Sequence, residues 1–215
     1  MPLANVIMDI DGFQVSQEEK ELISHPSVAG VILFSRNYED LQQLKALTAS
    51  LSAINPGLII AVDQEGGSVQ RFREGFTALP TMRHWGQQYS TNPQHAISQL
   101  QAVTKIMVKE LQQVGVNLSI APVLDFDYGA NDVIGDRSFG QDATLVSKLG
   151  GVVIEAMQSA GMTTVAKHFP GHGHVQADSH NELPVDNRVL SQILKSDLQP
   201  FQTLIATGKI SSVMA

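Results

Sequence analysis

The chain has 215 residues, of which 43% are hydrophobic and 16% charged, and a formal net charge of -7. This apolar content supports one sizeable core and excludes a disordered chain. The negative charge, without a basic run, argues against nucleic acid or an anionic membrane as a partner. The chain has no cysteine, which excludes disulfides, thiol nucleophiles and cysteine-ligated zinc.

The amino-terminal sequence predicts a cytoplasmic protein. Its first charges are Asp9 and Asp11, where an export signal would carry a basic segment followed by a long apolar one. No stretch approaches the roughly 18 consecutive apolar residues of a membrane span. A short strand is predicted in "VIMDI", and Ser16 with Glu19 has the spacing of a capping box for a first short helix.

One pattern then recurs along the chain: a helical segment, a glycine and a short apolar run. It occurs in "HPSVAGVILF", "INPGLIIAV", "QQVGVNLSIAPV", "QSAGMTTVA" and "ATGKISSVMA". A glycine just past a helix adopts the left-handed backbone that ends it. The β-branched runs that follow are typical of strands buried on both faces.

The segments before these glycines carry apolar stripes at helical spacing. One follows Asp40, a second begins at Asn92 and Pro93, and a third covers residues 142–160. Pro200 is predicted to start or kink the last helix. The stripes contain Leu41, Leu44, Leu47, Leu51 and Ile54; Ile97, Leu100, Val103, Met107, Leu111 and Val114; and Leu145, Val146, Leu149, Val152, Val153, Ala156 and Met157.

This alternation predicts an α/β fold with a parallel sheet and right-handed crossovers. Polar, glycine-rich sequence follows several strands directly, in "FSRN", "DQEGG", "LDFD" and "KHFPGHG". In a (β/α)₈ barrel of the TIM type, such strand ends share one face, where catalytic residues collect. We therefore favour the barrel over an open sheet, in which they would be spread along a crevice.

About six strands are recognisable, whereas a closed barrel of this type needs eight. The last, "ISSVMA", would be a core strand with no helix after it, leaving an apolar edge exposed. Residues 1–215 are therefore expected to form a single catalytic barrel domain that is incomplete at its carboxyl end. No linker or internal repeat indicates a domain boundary.

The stretch "KHFPGHGHVQADSH", residues 167–180, contains four of the seven histidines. His172 and His174 form an H-x-H pair, which permits a metal site, although no second ligand cluster is found. Alternatively, Asp178 holds one nitrogen of His180 and prepares the other for proton transfer near neutral pH. An unselected D-x-H is more often a solvated turn, but Lys167 and His168 after a buried strand are poorly explained by packing.

A second polar stretch, "AVDQEGGSVQRF", follows another apolar strand. Asp63 and Glu65 come after the strand, two glycines permit a sharp turn, and Arg71 is near enough in sequence to return to the same place. A strand-end turn held by an Asp–Arg pair explains this stretch equally well. Arg137 in "IGDRSFG" is a further candidate, although a lone loop arginine is normally a surface residue.

Taken together, "DQEGGSVQRF", "APVLD", "IGDRSFG", "KHFPGHG" and "ADSH", in this order, resemble the β-N-acetylhexosaminidases of glycoside hydrolase family 3, of the bacterial NagZ type. The resemblance spans essentially residues 5–215, and K-H-F-P-G-H-G followed by D-S-H is its most specific part. It implies contacts to a terminal N-acetylglucosamine from Asp63, Arg71, Arg137, Lys167 and His168.

The resemblance further implies that His180 is the general acid/base, supported by Asp178, where most glycosidases use two carboxyl groups. The implied reaction is retaining hydrolysis through a covalent glycosyl-enzyme, releasing N-acetylglucosamine from anhydro-muropeptides in peptidoglycan recycling. Its nucleophile is an aspartate downstream of "SSVMA", so it is expected beyond residue 215. Asp125 and Asp127 belong to a different family segment. A monomer with no cofactor or metal is expected.

Two other functions remain open from the residues alone. A metal-dependent hydrolase on the same barrel would use His172, His174 and Asp63 as ligands. A non-catalytic sugar-binding domain would use the same strand-end groups only to hold a saccharide. A structural α/β domain with incidental polar loops explains the clustering of charged groups after successive strands least well.

Overall fold

The computed structural model describes residues 5–129, 133–175 and 183–215 of the chain. The strands are β1 Val6–Met8, β2 Val28–Leu33, β3 Ile59–Val62, β4 Gln64–Gly66, β5 Val69–Gln70, β6 Leu118–Ser119, β7 Thr163–Thr164, β8 Ala166–Lys167 and β9 Val213–Met214. The α-helices are α1 Gln17–Ile23, α2 Leu41–Ile54, α3 Met82–Thr91, α4 Pro93–Gln113, α5 Ala143–Ser159, α6 Leu190–Lys195 and α7 Gln199–Ala206.

The main sheet is parallel throughout, with strand order β1-β2-β3-β6-β7. β7 and β8 are separated by one residue, Val165, and β8 pairs in parallel with β9. A parallel bridge between Val123 and Lys167 joins β8 to the chain after β6. The six strands predicted from sequence therefore form one curved parallel arc, as in a (β/α)₈ barrel. β4 and β5 form a separate antiparallel hairpin.

The two faces of the arc differ in what they bury. Val31 and Leu33 of β2 and Ile60 and Val62 of β3 point into the large core beneath the helices. The alternate residues form a smaller apolar cluster on the other face, so the strands are buried on both sides, as their composition predicts. That cluster contains Ala61, Leu118 and Ile120, with Ile32, Ile59, Val165 and Met214 against it.

The helix signals read from the sequence are confirmed. Ser16 and Glu19 form the reciprocal capping box at the start of α1. The Asn92 side chain accepts a hydrogen bond from the backbone of the third residue of α4, and Pro200 occupies the first turn of α7. No helix of the described part of the chain is long and apolar enough to cross a membrane.

The recurring glycines have two different roles, and the single role predicted for them is wrong at two positions. Gly115, Gly161 and Gly208 follow helices with positive φ, as expected. Gly57 lies in a turn without positive φ, and Gly30 lies inside β2. A Cβ at Gly30 would sit 2.7 Å from both the Cβ and the carbonyl oxygen of Ile59, so close strand packing requires glycine there.

Candidate active site

The predicted sugar-binding residues meet at the carboxyl ends of the strands. Because parallel strands end at one edge, Asp63 after β3 and Lys167 in β8 reach the same place, although 104 residues separate them. They line an open cavity of about 750 Å³. Arg71, Arg137 and His168 line it as well, so the structure brings all five together.

Lys167 lies between two carboxylates. Its Nζ is 2.6 Å from Oδ1 of Asp63 and 2.5 Å from Oε1 of Glu65, and its side chain is only 2% exposed. A buried ammonium is tolerated when it is paired and hydrogen-bonded in this way. Lys167 therefore fixes the positions of both carboxylates, of which Asp63 lines the cavity.

Glu65 links Lys167 to Arg137. Its oxygens accept hydrogen bonds from Nε and one terminal nitrogen of Arg137 at 2.9 and 2.8 Å, a two-point contact that fixes the guanidinium plane. Burial opposes the charge of Arg137, but the bonds to Glu65 outweigh it and raise the pKa of Arg137 above its ordinary value. Glu65 was not predicted as a site residue, although its D-x-E spacing after a buried strand was an available signal.

Arg71 reaches the site because of the β4–β5 hairpin. Gln64 pairs with Gln70 across the hairpin, which returns the next residue to the end of β3. A terminal nitrogen of Arg71 lies 3.3 Å from Oδ2 of Asp63, and its guanidinium lies over the ring of Phe34, 5.7 Å from the centroid. Arg71 thus returns to the end of β3 and lines the cavity, and its contact with Asp63 also fits the alternative of a strand-end turn held by an Asp–Arg pair.

Asp63 is an ionised acceptor at neutral pH. Burial by itself raises the pKa of its carboxyl, but the nearby charges of Lys167 and Arg71 and their hydrogen bonds bring it below its ordinary value. Each oxygen that contacts a cation keeps further lone-pair capacity for a ligand in the cavity.

This lowered pKa predicts how Asp63→Asn changes stability with pH. A carboxylate with a depressed folded pKa contributes stability above its unfolded value, near 3.8, and loses it as pH falls through the folded value. We expect Asp63→Asn to lower the free energy of unfolding by about 2 kcal/mol at pH 7 and by clearly less at pH 3. Urea unfolding at both pH values measures this. Exposed Asp136→Asn is the control, and a pH-independent loss would contradict the prediction.

His168 is held by a carboxylate for which no role in the site was predicted from the sequence. Its Nδ1 lies 2.6 Å from Oδ2 of Asp125, whose side chain is fully buried. Asp125 also accepts hydrogen bonds from the backbone nitrogens of His168 and His172. No feature of "APVLD" distinguishes this contact from an ordinary strand-end aspartate.

Gly173 allows the histidine-rich segment to lie against the neighbouring strand-end loop. A Cβ there would be 1.7 Å from the carbonyl oxygen of Phe126, a distance no side chain tolerates.

A second ion cluster surrounds Arg188. It contacts Asp186 at 2.6 Å and Asp197 at 2.7 Å, and its guanidinium lies over the ring of Tyr128.

His180 and Asp178, predicted as the acid/base pair, lie outside the described residues. The alternative metal ligands are not brought together. His172, His174 and Asp63 form no three-residue cluster, and the described ranges contain no His, Asp and Glu group suited to a metal ion. Asp63 is occupied by Lys167 and Arg71, and the Nδ1 of His174 lies 3.9 Å from Asp186. Within the described residues, the structure therefore does not assemble the ligand set of His172, His174 and Asp63 that the metal alternative requires.

The parallel strands carry buried, paired charges at their carboxyl ends, which is where (β/α)₈ barrel enzymes have their active sites. The chain matches the glycosyl hydrolase family 3 N terminal domain over residues 3–215, and it belongs to that family. The resemblance drawn from its motifs is confirmed at this level.

Curated relatives carry the name beta-hexosaminidase. The protein from Hydrogenovibrio crunogenus is 49% identical over 209 residues, covering 97% of this chain and 58% of the relative. NagZ from Neisseria gonorrhoeae, solved in its native form, is 42% identical with a TM-score of 0.93 over 100% of this chain and 63% of its own. The same protein has been solved with N-trifluoroacetyl-D-glucosamine and with a zinc ion. The chain thus spans about three fifths of these relatives.

Proposed function

We propose that the protein containing this chain is a retaining exo-β-N-acetylglucosaminidase. It releases terminal N-acetylglucosamine from anhydro-muropeptides during peptidoglycan recycling, acting as a cytoplasmic monomer. Residues 1–215 supply the sugar-binding side of a single catalytic barrel domain. The observation that carries the proposal is the cluster of Asp63, Lys167, Arg71, Arg137 and His168 around one cavity, in a chain of this family.

The cluster has the chemistry that a sugar requires. Pyranose hydroxyls donate and accept hydrogen bonds, and charged partners make the strongest of these. Asp63 is an ionised acceptor between two cations, while Lys167 and Arg137 are donors held in place by Glu65. Because these groups already hold one another, binding a sugar costs little further ordering of side chains. The N-acetylglucosamine analogue bound to Neisseria gonorrhoeae NagZ supports the same ligand class.

In the proposed reaction, His180 donates a proton to the glycosidic oxygen as the bond from that oxygen to the anomeric carbon breaks. A nucleophilic aspartate, expected beyond residue 215, forms an ester bond with the anomeric carbon. Neutral His180 then takes a proton from water, whose oxygen attacks that carbon and displaces the aspartate. Asp178 holds the other imidazole nitrogen through both steps.

Hydrolysis of a chromogenic N-acetyl-β-glucosaminide and of N-acetylglucosaminyl anhydro-muropeptide tests the proposal on the complete protein that contains this chain. We expect activity on both, with β configuration of the sugar first released, and unchanged rates after treatment with a chelator. His180→Ala should lower kcat at least about 100-fold because the proton donor is removed. The exposed His95 provides the matched control, His95→Ala.

Four outcomes would contradict parts of this proposal. Sugar binding without turnover would favour a non-catalytic binding domain. Loss of activity with chelator and its return with zinc would require metal chemistry. Full activity in His180→Ala would remove that residue from proton transfer, whereas inversion of configuration would exclude the covalent intermediate.

A further inference from the structure

Asp125 has the surroundings of a group that orients another side chain. Its carboxylate is fully buried and does not line the cavity described above, yet it receives three donors from the segment after β8. These are Nδ1 of His168 at 2.6 Å, the backbone nitrogen of His168 at 3.2 Å and the backbone nitrogen of His172 at 2.7 Å. One buried carboxylate therefore fixes both the ring and the backbone of a residue that lines the cavity.

The contact to Nδ1 decides which ring nitrogen carries hydrogen. A carboxylate only accepts hydrogen bonds, so the hydrogen of neutral His168 lies on Nδ1, and Nε2 keeps its lone pair. The His168 side chain is 22% exposed and lines the cavity, whereas Asp125 is inaccessible. Nε2 is thus the ring nitrogen left for a ligand.

We propose that Asp125 is a positioning residue, which holds His168 as the Nδ1–H tautomer so that Nε2 accepts a hydrogen bond from a hydroxyl of the bound sugar. This inference rests on the proposed function for the identity of the ligand. The tautomer itself follows from the contacts of Asp125. His168 then complements its neighbour Lys167, which can only donate.

Asp125→Asn has a defined consequence because an amide has one accepting oxygen and one donating nitrogen. The backbone nitrogen of His172 can only donate, so it requires the amide oxygen on its side. The amide nitrogen then faces Nδ1 of His168, which must become an acceptor, and the hydrogen moves to Nε2. Replacing a histidine-orienting aspartate by asparagine is known to favour the wrong tautomer while keeping the geometry.

The test combines ring ¹⁵N chemical shifts of His168 with inhibition by free N-acetylglucosamine, in the complete protein at pH 7.5. We expect a protonated Nδ1 in the unmodified protein and a protonated Nε2 in Asp125→Asn. The inhibition constant and KM should rise roughly tenfold in the variant, because one hydrogen bond to the sugar is lost. Asp127→Asn, which changes a nearby carboxylate that contacts Arg83, should keep both the tautomer and the inhibition constant.

A protonated Nε2 or a doubly protonated ring in the unmodified protein would overturn the inference, and this measurement needs no variant. An unchanged inhibition constant in Asp125→Asn would overturn it too. Failure of the proposed function has a different signature, because the unmodified protein would then neither bind N-acetylglucosamine nor hydrolyse the glucosaminide. The ¹⁵N spectrum of the ligand-free protein would still decide the tautomer.

Discussion

Lys167→Met is expected to lower both the activity and the stability of the protein severely. Methionine replaces the length of the side chain but removes the ammonium group between Asp63 and Glu65, leaving two carboxylates without their shared cation. Breaking a buried ion pair in this way costs roughly 3–5 kcal/mol of unfolding free energy. Because Lys167 is also the charged donor that we propose for the sugar, kcat/KM should fall at least about 100-fold.

Denaturant unfolding and steady-state hydrolysis of an N-acetyl-β-glucosaminide measure the two effects in the complete protein. Lys45→Met is the matched control, since Lys45 is exposed on α2 and should change neither quantity appreciably. Circular dichroism establishes whether the variant is folded under the assay conditions. A folded Lys167→Met protein with nearly full activity would show that Lys167 does not contact the sugar.

Arg188→Met is expected to lower the free energy of unfolding by about as much as Lys167→Met, because it disrupts a separate ion cluster. Arg188 contacts Asp197, whose side chain is fully buried, and also Asp186 and the ring of Tyr128. Its hydrogen bonds to Asp186 hold the pKa of that carboxyl below its ordinary value and the pKa of Arg188 above its own. Removing the guanidinium leaves the Asp197 carboxylate with only Tyr128 and Ser196 as side-chain donors in the described residues, a loss of roughly 3–5 kcal/mol.

A double variant separates two causes of the lost stability: the unpaired buried charge of Asp197 and the loss of the other contacts of Arg188. Because Arg188→Met leaves Asp197 charged and buried, adding Asp197→Asn should recover part of the lost unfolding free energy. Lys209→Met removes a partly exposed pair with Glu155 and should cost at most about 1 kcal/mol. If Arg188→Met lowers the free energy of unfolding by no more than Lys209→Met does, the ion cluster around Arg188 does not stabilise the fold.

The sequence predicted the repeating fold well because its signals are local. Helix stripes, the Ser16 capping box and the Asn92 and Pro200 starts depend on neighbours within one turn, and each lies where expected. Gly30 was misinterpreted because its role depends on Ile59 in the next strand, which local sequence does not show. The β4–β5 hairpin and α3 were not predicted, since short strands and a polar helix give weak periodic signals.

The candidate site divides in a similar way. Asp63, Lys167 and His168 were identifiable because charged residues directly after buried strands are poorly explained by packing. Glu65 contacts Arg137 from 72 residues away, Asp125 contacts His168 from 43 and Arg188 contacts Tyr128 from 60, and a single sequence carries no record of such pairs. The residues that line the cavity are therefore easier to predict than those that hold them in place.

The long separation between Asp63 and Lys167 also bears on how the protein folds. Asp63 and Lys167 meet only after the intervening strands and helices have docked. Contacts between residues so far apart in sequence form slowly, because closing the long loop between them costs conformational entropy. Until then, the Lys167 ammonium and the two acidic side chains remain in water. Ligand affinity should therefore depend on the docking of the strands and helices that lie between Asp63 and Lys167 in the chain.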